Sequence, residues 1–392
     1  MTSEERLTVE GIQRNETQRQ REFPVCQRWI YFAHAGVSPL PRRVAEAIRS
    51  YTMSAASGDQ EAGVLDPLLQ TTRRLAAEFL QCRPTEVALL GPTSVGLSLI
   101  AESFPFQEGD NVVICWDDFP SNVYPWLALE RKGVQVRRLR PSEPGRVEVD
   151  QVLELVDRRT ALVALSSTHY LSGWSMDLAG LGEVLRSRGV ALCVDAIQSL
   201  GIWPAALEAA DFIAAGAQKW LLGPCGAGIL CVRENWLDRL QPPLLGWHNV
   251  ACPDFLTQEE LRFPSDATRF EPGTIPLLEL TGLRAALELL REVGLQAIWK
   301  EARRKRTEWS RQLQERGFEV LGSHFPQERQ GPTISFRPTN QDPAALFQRM
   351  QEAGIVGSLR KDRFGRTWIR IAPHFYNTDA EFAQLLEVLE GK

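Results

Sequence analysis

Between residues 86 and 232 the chain repeats one pattern: a short apolar or β-branched run, a turn-rich or amphipathic stretch, then another short run. EVALL at 86, NVVICW at 111, VQVRRL at 134, TALVALS at 160, VALCVD at 190, DFIAAG at 211 and GILCV at 228 each have the length and composition of a strand. Between two of them, LAGLGEVLRSRG sets Leu178, Leu181 and Leu185 on one helical face and ends at Gly189. Strands alternating with helices predict an α/β fold whose mostly parallel, seven-stranded sheet is covered by helices.

The pattern changes after RFEPGTIPLLELTGL, where two helical stretches (276–292 and 295–316) precede shorter strands around FEVLG, TISFR and TWIRIA. That α+β rhythm, closed by the amphipathic DAEFAQLLEVLE, predicts a smaller C-terminal domain over 271–392 behind a large domain over 29–270. RFPSDATRFEPG, with two prolines and a glycine, reads as the passage between them. Residues 1–28 are polar with few apolar positions, which predicts an arm that is mobile or orders against a partner.

Several function classes lose support from composition. A net charge of −5 gives no electrostatic basis for nucleic-acid binding, and the basic stretch EARRKRTEW is broken by glutamates, as on a solvated helix face. No apolar run approaches the roughly 20 residues of a membrane span, and the N-terminus lacks a signal-peptide core, so a cytoplasmic location is expected. The seven cysteines are unclustered and mostly inside apolar runs, as reduced core residues, and none has metal-ligand spacing, so no metal is expected.

Lys219, in DFIAAGAQKWLLGP, follows Asp195 of ALCVDAIQSLG by 24 positions. An acid ending one apolar run and a lysine after the next is a pairing that pyridoxal phosphate chemistry needs: the lysine forms a Schiff base with the cofactor aldehyde, and the carboxylate keeps the pyridine nitrogen protonated. GPTSVGLSLI places Thr93 and Ser94 after a glycine turn and before an apolar helix, where backbone N–H groups and hydroxyls can hold a phosphate. GPCGAG at 223 does not spell GxGxxG, and no GxxxxGK[ST] occurs, so neither a dinucleotide site nor a P-loop is supported. Its small residues are expected to let the backbone pass close to the lysine and the cofactor.

These motifs together resemble the class V aminotransferase family of fold-type I pyridoxal phosphate enzymes, which also holds cysteine desulfurases, kynureninases and isopenicillin N epimerase-like proteins. The resemblance runs from YFAHAGVSPLPRRV at 31 to APHFYNTDAEF at 372 and rests on GPTS at 91, VDAIQSLG at 194, GAQKWLLGP at 216 and RFEPGT at 269. It implies pyridoxal 5'-phosphate as cofactor, with Lys219 as Schiff-base lysine and general base and Asp195 on the ring nitrogen. Gln198 would bond the ring hydroxyl, Phe119 would stack on the ring, and Thr93, Ser94 and Gln218 would meet the phosphate. Thr274 would reach the phosphate of a neighbouring subunit, which implies a homodimer. Arg370 would clamp the α-carboxylate of a small amino-acid substrate, with Tyr170 and His34 near it. Alternation along TWIRIA puts Arg370 on the face opposite Ile369 and Ile371.

Two departures from the family pattern bear on function. Gln218 stands where histidine is common before the lysine, and GIVGSLRKDRFGRTWIR lacks the cysteine that desulfurases carry in this region. The missing thiol and the carboxylate anchor favour an aminotransferase-type enzyme. The alternatives are a lyase cleaving a C–S or kynureninase-like C–C bond, an epimerase, and a non-catalytic protein that keeps the fold.

Overall fold

The computed structural model describes residues 7–61 and 65–391. A short strand, β1 (Ile30–Tyr31), precedes the seven strands of the central sheet: β2 (Val87–Leu90), β3 (Asn111–Cys115), β4 (Gln135–Leu139), β5 (Thr160–Ser166), β6 (Ala191–Asp195), β7 (Phe212–Gly216) and β8 (Gly228–Val232). Their order is β2-β8-β7-β6-β5-β3-β4. Neighbouring pairs are parallel except those made by β8, which runs antiparallel to both β2 and β7. Each expected apolar run supplies one strand. All but β4 are largely or wholly buried, as helices on both faces demand, and β4 lies at the sheet edge.

The sheet is covered on one face by a large core that includes Leu181, Leu185, Val194 and Ile213, and on the other by a cluster around Leu97, Ile100, Trp126 and Phe212. A further four-stranded antiparallel sheet follows: β9 (Glu319–Val320), β10 (Ile334–Arg337), β12 (Ser358–Lys361) and β13 (Thr367–Ile371), ordered β12-β13-β10-β9. Between them β11 (Ile355–Val356) pairs in parallel with β1. A separate core of Trp309, Phe336, Leu346, Ile369, Ile371 and Phe382 supports this C-terminal layer. The isoleucines of β13 therefore face that core, and Arg370 faces the other way, as strand alternation requires.

Two boundaries differ from the sequence reading. The helix Leu277–Val293, expected to open the C-terminal domain, packs Leu280, Leu283, Leu287 and Leu290 into the large core, because its apolar residues match the helices Arg42–Ala55 and Leu65–Leu80. The N-terminal arm orders against its own chain. Leu7, Val9, Ile12 and Phe23 are buried, Phe23 stacks on Tyr376 at 3.9 Å, and Arg19 pairs with Glu381 at 2.8 Å. Few apolar residues sufficed because nearly every one is buried, and the buried charge is paired. Residues 1–6 of the expected arm lie outside the described residues. No helix among the described residues is long and apolar enough to cross a membrane.

Candidate active site

A cleft of about 320 Å³ opens at the carboxyl ends of β6 and β7. Asp195 ends β6, and Lys219 follows β7 by three residues, so two parallel neighbouring strands deliver both groups to one place. Thr93, Ser94, Phe119, Tyr170, Gln198, Gln218 and Arg370 line the same cleft. Nine of the eleven expected site residues thus converge here from six separate regions of sequence.

The Lys219 amine lies 5.4 Å from the centroid of the Phe119 ring, whose own edge-on neighbour is Tyr170 at 5.6 Å. Phe119 is held by Asp118, a buried carboxylate that accepts hydrogen bonds from the Phe119 N–H, the Ser166 hydroxyl and the Asn122 amide. Asp195 accepts the Ile197 N–H at 2.9 Å. Burial raises the Asp195 pKa, the nearby charge of Asp118 raises it further, and Lys219 opposes the shift. Burial lowers the Lys219 pKa, Asp195 resists, and Arg370 and Arg360 add to the lowering. The amine is therefore more readily neutral, as a base or nucleophile, than an exposed lysine.

Thr93 and Ser94 begin the helix Thr93–Ser103, whose first N–H groups have no intrahelical acceptor. The Thr93 hydroxyl accepts the Gly216 N–H at 2.8 Å, tying the helix start to the end of β7. A side chain on Gly216 would collide with Gln218 and crowd Thr93. Ser94 donates to the Ser121 hydroxyl at 2.8 Å. None of residues 223–228 lines the cleft, but a side chain on Gly223 would collide with Ala217, so that glycine lets its backbone pass close to the segment that carries the lysine. A side chain on Gly228 would strike the carbonyl of Gly91, so that glycine lets β8 pass the turn before Thr93.

Gln198 is already engaged: its amide donates to the Ala35 carbonyl at 3.1 Å and accepts the Trp220 indole N–H at 2.9 Å. Arg370 donates one N–H to the Tyr170 carbonyl at 2.8 Å, while its Nε and Nη2 are buried without a partner. Burial, reinforced by Arg360, draws this guanidinium down to about 9. Two stranded donors on one planar group fit an incoming carboxylate, which would relieve both the unmade bonds and the desolvated charge.

Two expected residues stand elsewhere. His34 does not line the cleft: its ring donates from Nδ1 to the Ala372 carbonyl at 2.8 Å and accepts at Nε2 from the Tyr376 hydroxyl at 2.7 Å, and burial pushes its pKa to about 3. Thr274 is exposed and lines a separate depression with Tyr51, Gln60 and Glu279. Sequence reasoning missed Arg360, Ser121 and the strap Ala35–Val37. The strap is fixed just downstream, where the Ser38 N–H and hydroxyl reach the carbonyls of Gln218 and Lys219 at 2.7 and 2.5 Å.

The residues present fit pyridoxal 5'-phosphate. A half-buried lysine, a buried carboxylate and an aromatic ring line one cleft, a helix start opens onto it, and Gln218 and Arg370 carry buried polar atoms without partners. Comparison with known proteins agrees. A probable cysteine desulfurase of Methanothermobacter thermautotrophicus is 29% identical over 94% of this chain and 96% of its own length. An uncharacterized aminotransferase of Bacillus subtilis, YcbU, is 26% identical over 94% and 96%. The apo structure of a cysteine desulfurase from Thermococcus onnurineus NA1 superposes with a TM-score of 0.86 over 96% of this chain and 97% of that one, at 22% identity. The aminotransferase class-V model matches residues 30–360, and the chain belongs to that family of pyridoxal 5'-phosphate enzymes.

Proposed function

We propose that the protein is a lyase that breaks a carbon–sulfur bond in an amino-acid substrate, in preference to the aminotransferase reading. The Methanothermobacter relative's name supports sulfur chemistry. The observation that carries the reading is that relative's 29% identity over 94% of this chain, and no residue that lines the cleft is a cysteine. The sulfur then leaves in solution and is not passed to a protein thiol.

Bound pyridoxal 5'-phosphate supplies an electron sink for the pair released at the substrate Cα. The first turn of Thr93–Ser103, the Ser94 hydroxyl and Gln218 would hold the phosphate end, and the buried Asp195 carboxylate would keep the ring nitrogen protonated. Phe119, whose ring centroid lies 5.4 Å from the Lys219 amine, would stack on the ring. Arg370 grips the α-carboxylate through Nε and Nη2, which fixes the Cα–H bond relative to Lys219. Lys219, once its amine is free, removes the Cα proton. The Cβ–S bond breaks with its electron pair passing to sulfur, which takes up a proton and leaves as a thiol. Water then converts the remaining fragment to pyruvate and ammonium, with no oxidant required.

We also propose that the protein works as a homodimer. Thr274 stands outside its own cleft, and exposed Leu244, Leu245, Trp247, Phe255, Leu256 and Leu278 lie in the chain segments around it. An apolar surface of that kind suits a second copy.

Incubating the holoenzyme with an S-substituted cysteine separates the readings. Elimination predicts pyruvate and free thiol in equal amounts without any added 2-oxo acid. Product formed only when a 2-oxo acid acceptor is supplied would establish transamination instead.

A further inference from the structure

Trp220, the residue after Lys219, is fully buried, and its indole and its carbonyl are both held. The indole N–H donates to Gln198 Oε1 at 2.9 Å, and the carbonyl accepts from His374 Nε2 at 3.1 Å. His374 Nδ1 accepts the Phe375 N–H at 2.9 Å, so the ring carries its proton on Nε2, as that contact requires. Gly201, three residues past Gln198, has φ +94°, and a side chain there would meet the Trp220 carbonyl. The segment carrying Gln198 thus runs directly against the backbone that follows Lys219. An indole N–H only donates and a backbone carbonyl only accepts. Between Trp220 and the Ala35 carbonyl, 3.1 Å from Nε2, the Gln198 amide therefore satisfies both partners in one orientation and neither in the flipped one. That orientation uses one Nε2 hydrogen. For the second no partner is recorded among the described residues, although Gln198 is buried and lines the cleft.

We infer that Trp220 is a positioning residue: it locks Gln198 with an N–H donor turned to the cleft, where that donor meets the ring oxygen of a cofactor joined to Lys219. This rests on the placement of Gln198 beside that oxygen, and it holds whether the reaction is elimination or transamination. A donor there draws charge from the oxygen and so loosens the proton on the nitrogen that the cofactor shares with Lys219. Without the indole N–H, Oε1 would be buried with no donor. Turning it toward water in the cleft would then present an acceptor to the ring oxygen in place of the donor.

The visible absorbance of the holoenzyme follows that proton, so its midpoint with pH reads the donor without turnover. The other titratable groups facing this place are Tyr170 and Asp195, the latter backed by Asp118, with Arg360 and Arg370 as cations. The His34 and His374 rings flank the indole with Lys305 behind them, and burial keeps both rings neutral. None of these changes in the variants. Trp220→Phe keeps an apolar ring and removes the N–H, and the midpoint should rise by about one pH unit, as loss of a hydrogen bond to a charged group gives. Benzothienylalanine at position 220, with sulfur in place of the N–H, should give the same rise with tryptophan's shape retained. Gln198→Ala should raise the midpoint as much, and the double variant no further, since both substitutions delete one donor. A midpoint moved by Gln198→Ala and unmoved by Trp220→Phe, or shifts that add in the double variant, would overturn the role of Trp220 and leave Gln198 in place. A midpoint unmoved by either would overturn the placement of Gln198, and this inference with it.

Discussion

Truncating Arg370 and truncating Lys219 remove different things. Arg370 contributes two buried, unmade N–H bonds, so Arg370→Ala should lower kcat/KM for carboxylate substrates about 100-fold, chiefly through KM, while the cofactor stays bound. Steady-state kinetics beside the absorbance of bound cofactor would show it, and unchanged kinetics would remove Arg370 from the site. Lys219→Ala should cost at least about 1,000-fold in turnover, because it deletes the group that moves the Cα proton. At Gln218 the buried amide oxygen has no donor, and Gln218→His should preserve or tighten cofactor affinity by adding a donor beside the phosphate. A clear loss of affinity in a cofactor titration would count against placing residue 218 on the phosphate. Lys219, Asp195 and Arg370 were legible in the sequence because each lies in or beside a strand in a distinctive local setting. His34 sat in an equally suggestive segment, but its ring bonds to Ala372 and Tyr376 are contacts across more than 330 residues, which no local pattern encodes.

Elements decide where these side chains meet. The strands of the large sheet could be read because a strand buried on both faces needs an unbroken apolar run. Arg360 could not, since its face depends on the register of β12 against β13, and a shift of one residue would turn it away from Arg370. The arm over 7–28 also escaped notice, because its burial rests on scattered single residues and a long-range ion pair. Arg19→Met should destabilise the protein by about 3 kcal/mol, since Glu381 would stay buried without its cation. Chemical denaturation would measure that loss, and a change below about 0.5 kcal/mol would mean the pair contributes little. His34 ties β1's following residues to those after β13 in its neutral form. Its folded pKa lies near 3, below the unfolded value of about 6.5, so its contribution to stability is complete above that value and declines as pH falls toward 3. The melting temperature should fall less steeply over this window in His34→Gln than in the native sequence, and parallel slopes would contradict the assignment.

At the scale of the molecule, one large sheet carries the lysine and the acid, and a smaller sheet carries both arginines. Arg363, in the turn between β12 and β13, pairs with Asp117 at 3.3 Å, two residues before Phe119, so the smaller sheet is tied directly to the wall that holds the aromatic ring. The homodimer proposed above predicts that Leu256→Asp shifts the sedimentation of the protein toward the monomer and weakens cofactor retention together, as Thr274 is withdrawn from the neighbouring cleft. A monomeric variant with undiminished cofactor affinity would show each site to be complete within one chain. The expectations for the site depend on the cofactor being joined to Lys219. Borohydride reduction of the holoenzyme, followed by peptide mass analysis, tests that most directly: the pyridoxyl group should be found on the peptide containing Lys219, and its recovery on another lysine, or on none, would contradict the account.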